Sequence, residues 1–140
     1  MCVAIVYWSG TGNTEAMAKE IAKGVQEKGA ECKLFMADEF NETMMDDYQA
    51  IAFGCPSMGE EVLEETEFEP MFRRCEPLLN GRKIALFGSY GWGDGEWMRN
   101  WEDEVREKGA SLVADSVICC EEPDEEACSA CNDLGRALAS

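Results

Sequence analysis

The chemistry of this chain is concentrated in short, glycine-rich stretches, and the first is Tyr7-Trp8-Ser9-Gly10-Thr11-Gly12-Asn13-Thr14. From Ser9 to Thr14 the residues are small and uncharged, with two glycines and three hydroxyls. On a turn that opens a helix, such residues offer backbone N–H groups and hydroxyls to an anion, and phosphate fits such a cup. A triphosphate loop is excluded, because no lysine follows Gly12 and the G-x-x-x-x-G spacing is absent. Gly10-Thr11-Gly12 begins a dinucleotide fingerprint, but Glu15 stands where its third glycine belongs. Uncharged donors without lysine or metal suit a lone phosphomonoester. The same stretch also suits a plain glycine-rich turn that caps a helix.

Two more stretches carry unusual side chains. Ser89-Tyr90-Gly91-Trp92-Gly93 interleaves two large rings with glycines. Exposed rings on a turn favour a flat partner, and stacking adds roughly 0.5–1.5 kcal/mol beyond area burial. Pro56-Ser57-Met58-Gly59-Glu60-Glu61 offers a thioether that packs well on rings, and Gly59 permits positive φ. The alternatives are that Trp92 folds onto the last helix and that Met58 fills a gap. An anion cup with aromatic and thioether walls describes a phosphorylated, flat, aromatic ligand, and FMN fits best.

Alternating strands and helices must position these stretches. Val3 to Val6 reads as a buried strand, and Met17, Ile21 and Val25 give the following helix a four-residue apolar spacing that stops at Lys28-Gly29. Glu31 to Met36 is the second strand. A polar connection, Ala37 to Asp47, holds one short helix near Thr43 to Asp46. Ala50 to Gly54, almost wholly apolar, reads as a central parallel strand. A helix is expected from near Pro70, with Phe68, Phe72 and Cys75 as its inner stripe. Ile84 to Phe87 is the fourth strand. A helix carrying Trp97, Trp101 and Val105 inward follows, then a fifth strand from Leu112 to Ile118. The last helix starts after Pro123 and turns Cys128, Cys131, Leu134 and Leu138 inward. Five alternations predict an α/β class: a three-layer, doubly wound, five-stranded parallel sheet with helices on both sides, forming one domain over 1–140. In the order 2-1-3-4-5 the first, third and fourth strands are neighbours, so the three stretches converge where the strand order reverses.

Totals narrow the function. A net charge of −17 on 140 residues argues against nucleic acid and anionic membranes as partners and for basic ones. The chain has no histidine, which excludes imidazole acid–base chemistry, Ser-His triads and His-ligated zinc. No apolar run approaches the roughly 20 residues of a membrane span. Met1-Cys2-Val3 runs straight into the first strand, so no signal peptide and a cytoplasmic location are expected. In that compartment the eight cysteines are expected as thiols. Cys128-Ser129-Ala130-Cys131 has C-x-x-C spacing, but its place inside a helix favours packing over redox or metal chemistry.

Taken together, Ser9-Gly10-Thr11-Gly12-Asn13-Thr14, Met58-Gly59-Glu60-Glu61 and Ser89-Tyr90-Gly91-Trp92-Gly93-Asp94-Gly95 resemble the FMN loops of flavodoxins. The likeness covers essentially the whole chain and points to the short-chain type found in clostridia and related anaerobic bacteria. Flavodoxins are themselves a type example of ligand binding at such a switch point. The resemblance implies a one-electron carrier of low potential rather than an enzyme with its own substrate. It implies that Ser9, Gly10, Thr11, Gly12, Asn13 and Thr14 hold the FMN phosphate. Met58 and Trp92 would sandwich the ring system, Pro56 and Ser57 leading into that wall. The Met58-Gly59 peptide would turn its carbonyl toward flavin N5 when an electron and a proton arrive. Glu61, next to Glu60, would contact N3, and the backbone of Ser89, Tyr90, Gly91 and Gly93 would border the pyrimidine edge. Position 56 is Pro where some relatives carry Ser. Implied partners are redox proteins with basic docking surfaces, of the reductase, hydrogenase or 2-oxoacid oxidoreductase type, met by a monomer. Glu60, Glu61, Asp94, Glu121 and Glu122 are the carboxylates placed to oppose added negative charge. A unit charge 10 Å away disfavours an anion by about 0.4 kcal/mol at ε ≈ 80 and about 1.7 kcal/mol at ε ≈ 20. A phospho-receiver domain shares the strand order, but Tyr7-Trp8 and Cys55-Pro56 occupy the positions of its acids. The rival is an FMN enzyme such as a quinone or azo reductase fed by a nicotinamide.

Overall fold

A computed structural model describes residues 1–59 and 61–140. The sheet is built from β1 (Cys2–Tyr7), β2 (Glu31–Met36), β3 (Ala50–Gly54), β4 (Lys83–Tyr90), β5 (Ser111–Leu112) and β6 (Val117–Cys120). Its order is β2-β1-β3-β4-β5, with β6 also on β4, and every one of these pairings is parallel. The helices are α1 (Asn13–Glu27), α2 (Phe68–Cys75), α3 (Glu96–Glu107) and α4 (Glu125–Leu138). Among the described residues, no helix is long and apolar enough to cross a membrane.

Strand alternation divides the core in two. On β1, Val3, Ile5 and Tyr7 face one layer with Met17, Ile21 and Val25 of α1 and Cys131, Leu134 and Leu138 of α4. Ala4 and Val6 face the other, where Phe68 and Phe72 of α2 pack with Trp101 of α3. There the Trp101 ring meets both phenyl rings edge-on, at centroid distances of 5.5 Å. β1, β3 and the middle of β4 are buried on both faces, as their continuous apolar runs require.

Several elements depart from the sequence expectation. α2 starts at Phe68 rather than near Pro70, because the Glu64 carboxylate accepts from the N–H groups of Glu67 (2.8 Å) and Phe68 (2.9 Å) and so caps the helix earlier. The expected fifth strand is interrupted between Leu112 and Val117. β5 pairs with the start of β4 and β6 with its end, and Val117–Cys120 draws β4 on through Tyr90. Ser89 and Tyr90 therefore lie in a strand rather than a loop. The single short helix of the Ala37–Asp47 connection is two 3₁₀ segments, Ala37–Glu39 and Glu42–Asp47. On α4 the inner stripe is Ala127, Cys131, Leu134, Gly135 and Leu138, and Cys128 sits at its margin. All eight cysteines are free.

Candidate functional site

The loop after β1 folds largely on itself. Gly12 precedes α1 with φ +94°, outside the range comfortable for a side chain. The Ser9 hydroxyl accepts from the N–H groups of Gly12 (3.1 Å) and Glu15 (3.3 Å), so it shapes the turn from within. Asn13 and Thr14 open α1, where first-turn N–H groups have no intrahelical acceptor and point toward an incoming anion. Thr14 is buried, and its hydroxyl is 3.1 Å from that of Ser89, tying this loop to the end of β4.

The second loop runs along β4 and then closes into a hairpin. Cys55 N–H donates to the Phe87 carbonyl (3.1 Å) and Ser57 N–H to that of Ser89 (3.0 Å). Met58 and Val62 exchange a pair of hydrogen bonds, Met58 N–H to Val62 O at 2.8 Å and Val62 N–H to Met58 O at 3.0 Å. Gly59, at the turn, has φ +50°, and a Cβ there would meet nothing within 4 Å. Glu60 lies outside the described residues. Glu61 follows with φ +57°.

These loops and the β4 end enclose a cleft of about 520 Å³, within the roughly 300–1,000 Å³ of cofactor pockets. Of the expected residues it gathers Gly10, Thr11 and Asn13 from the first loop, Pro56, Ser57 and Met58 from the second, and Ser89, Tyr90 and Gly91 from β4 and beyond. Ser9, Gly12 and Thr14 stand behind the lining and shape it. Gly59, Glu61, Trp92 and Gly93 are not among its lining residues, and Trp92 is 60% exposed.

Trp8 lines the cleft although the sequence reading gave it no role. Its ring lies so close over Gly10 that a Cβ there would be 3.0 Å from it, and its indole N–H donates to Glu67 (3.1 Å). The available signal was an aromatic ring at the C-terminal end of a strand, directly before the anion cup. Glu121 and Glu122 also line the cleft. Among the described residues, Glu61 and Glu121 alone are non-glycine residues with positive φ. Each such backbone costs about 1–3 kcal/mol, and such strain concentrates at ligand sites. Glu61 Oε1 is buried with no hydrogen-bond partner, and one carboxylate oxygen each of Glu61, Asp94 and Glu96 lies within 4.8 Å of the others.

A family model described as Flavodoxin matches residues 5–133. The chain belongs to the flavodoxin family. It is 45% identical over 136 residues to the flavodoxin of Clostridium beijerinckii, covering 97% of this chain and 98% of that one. It is 45% identical over 140 residues to the flavodoxin of Megasphaera elsdenii, covering 98% of each chain. The solution structure of two-electron reduced Megasphaera elsdenii flavodoxin superposes with a TM-score of 0.90 at 44% identity, again over 98% of each chain. Flavodoxins bind FMN and carry electrons, and FMN is the cofactor of this chain. The residues present fit it. The buried, unpartnered Glu61 oxygen needs a donor such as the flavin ring's N–H, and the uncharged cup at α1 matches the phosphate.

Proposed function

We propose that this flavodoxin is a low-potential, one-electron carrier that shuttles electrons between larger redox enzymes. The observation that carries the reading is the lining of the cleft, which includes the carboxylates Glu121 and Glu122 and, among the described residues, no lysine or arginine. Bound FMN supplies the redox chemistry, and the chain adjusts its electronics. In this reading Gly10, Thr11 and the N–H groups of Asn13 and Thr14 bind the phosphate, with Ser9 and Gly12 holding the turn. Met58 forms one wall. Trp92, which is exposed, covers the opposite face, and Glu61 accepts from the ring N–H. The backbone of Ser89, Tyr90, Gly91 and Gly93 borders the pyrimidine edge, while Pro56, Ser57 and Glu60 complete the second loop.

The Met58 carbonyl is the group proposed to accept a proton-bearing N5. It now accepts from Val62 N–H, so presenting it to the cleft gives up one hydrogen bond, about 0.5–1.5 kcal/mol. Gly59, with no Cβ and a φ of +50°, gives that peptide the backbone freedom a rotation needs. The carboxylates at the ring end make each added negative charge less favourable, by an amount that solvent and salt reduce for exposed groups.

Anaerobic spectroelectrochemistry tests this reading. Two resolved one-electron steps, the second at distinctly lower potential, are expected; a single two-electron step overturns it. Steady oxidation of NAD(P)H by the chain alone would instead favour a nicotinamide-fed FMN enzyme. We further propose one cytoplasmic domain over 1–140, monomeric, that meets partners such as reductases, hydrogenases or 2-oxoacid oxidoreductases through their basic surfaces. Electron transfer to a redox protein of basic surface should then slow as salt is added. A rate indifferent to ionic strength would remove the electrostatic part.

A further inference from the structure

Glu64 is a buried carboxylate that the cofactor reading leaves without a role. It is 5% exposed, yet its two oxygens are fully engaged. One accepts from Glu67 N–H (2.8 Å) and Phe68 N–H (2.9 Å), the other from Thr66 N–H (2.9 Å) and the Thr66 hydroxyl. Its own N–H donates to the Cys55 sulfur (3.3 Å), and its carbonyl accepts from Glu69 N–H (2.8 Å). Cys55 ends the first leg of the second loop and Glu64 ends the other. The Glu64–Cys55 bond therefore closes the base of the hairpin whose tip is the Met58–Val62 pair. Only Leu63, itself buried, separates Val62 from this hub. Burial alone would raise the Glu64 pKa, but hydrogen bonds from Thr66, Phe68 and Glu67 outweigh it and hold the carboxyl below its ordinary value.

We propose that Glu64 is a positioning residue for the flavin-contacting hairpin: by anchoring the base of that hairpin to the N-terminus of α2, its carboxylate sets where Met58 and the Met58–Gly59 peptide stand. The position of Met58 in the cofactor cleft is taken from the reading above. Phe68 makes the anchor rigid, since its ring stacks on Phe72 and meets Trp101 edge-on in the core. Glu67, whose backbone N–H donates to the Glu64 carboxylate, also accepts through its own carboxylate from Trp8 on the cleft wall, so one residue, through backbone and side chain, links Trp8 and the hairpin base to one helix end. Four donors converge on the carboxylate, and glutamine cannot satisfy them. Its single oxygen serves the Glu67 and Phe68 pair, and although the Thr66 hydroxyl can turn to accept from its NH₂, the Thr66 N–H is left donor to donor.

The test is amide hydrogen exchange in the full chain without FMN, comparing the wild type with Glu64→Gln. Val62 N–H, which reports the hairpin bond, is expected to exchange about tenfold faster in the variant relative to Leu86 N–H in the central sheet. Met71→Ala serves as the control for a merely structural effect. Met71 is a buried residue of α2, so its truncation lowers overall stability and speeds Leu86 exchange at least as much as Val62 exchange, without raising the Val62 to Leu86 ratio. An unchanged ratio in Glu64→Gln overturns the proposal, as does an equal rise in both variants. If the Glu64→Gln chain does not fold, Thr66→Ala, which removes one of the four donors, is judged by the same ratio. With FMN bound, Glu64→Gln should also narrow the separation of the two one-electron potentials while Met71→Ala leaves it alone. Failure of the wild-type chain to bind FMN would overturn the cofactor reading, and the exchange ratio would still decide whether Glu64 holds the hairpin.

Discussion

The two ends of the cleft are built in different ways. The end proposed to hold the phosphate is local: Ser9 to Thr14 lie on one continuous turn and helix start directly after β1, and the Ser9 hydroxyl organises the turn from inside. The ring end is assembled from residues far apart in the chain. Met58 stands on a hairpin held by Cys55 and Glu64, Ser89 and Tyr90 close β4, and Glu121 follows β6 with its N–H on the Tyr90 carbonyl at 2.7 Å. The local end has neutral donors, whereas the assembled end carries the carboxylates Glu121 and Glu122, Glu121 with a positive φ. This division separates two tasks. A helix N-terminus anchors an anion wherever it occurs, but adjusting a ring's electronics requires groups brought to it from several directions.

The division is broken most severely at Gly12. Gly12→Val forces a β-branched residue to φ +94°, a strain of about 1–3 kcal/mol. FMN affinity, followed by fluorescence quenching on titration into the FMN-free chain, should fall roughly 10- to 100-fold. The separation of the two potentials should stay close to wild type. A larger effect on the potentials than on affinity would show that the two ends are not independent.

At the other end, Gly59→Val should do the reverse. The strain at φ +50° resists rotation of the Met58–Gly59 peptide and narrows the separation of the potentials. About 1–2 kcal/mol corresponds to several tens of millivolts at about 59 mV per factor of ten. Affinity for oxidised FMN should change less than in Gly12→Val. Spectroelectrochemistry beside the fluorescence titration checks both arms.

A smaller effect appears in stability against pH. Hydrogen bonds hold the Glu64 carboxyl below its ordinary value of 4.5 despite burial, so its contribution is fully present above that value. It is lost as pH falls through the lowered folded value. Melting curves of the wild type and Glu64→Gln should therefore differ by about 1–3 kcal/mol near neutrality and converge in acid. A difference that grew on acidification would contradict the assignment.

The mildest probe leaves the sequence untouched. Cys55, at the base of the ring-end hairpin, is fully buried, and burial pushes its thiol well up; burial likewise pushes Cys131 up to about 12. Neither should react with a thiol reagent at pH 8 while the chain is closed, whereas exposed Cys120 should label first. Saturating FMN should slow Cys55 labelling further and leave Cys120 unchanged. Equal protection of both thiols by FMN would place the cofactor's influence somewhere other than the hairpin.

Much of this molecule is written in local patterns. The apolar runs Val3–Val6 and Ala50–Gly54, the spacing of Met17, Ile21 and Val25, and the glycine punctuation at Gly29 and Gly109 specify strands and helices, because periodicity and turn chemistry act over a few residues. The alternation of those elements specifies a parallel sheet, and the uncharged cup at Ser9–Thr14 is visible for the same local reason. The tertiary structure decided what depends on partners distant in the chain. β6 drew Ser89 and Tyr90 into a strand, the buried Glu64 carboxylate started α2 at Phe68, and the close approach of Trp8 to Gly10 made that indole part of the cleft wall. It also set the Thr14 hydroxyl against that of Ser89. Hydrogen bonds and ring contacts across tens of residues leave no periodic trace in a sequence. The anchoring end could be read directly, and the ring end took its form only when the loops were packed together.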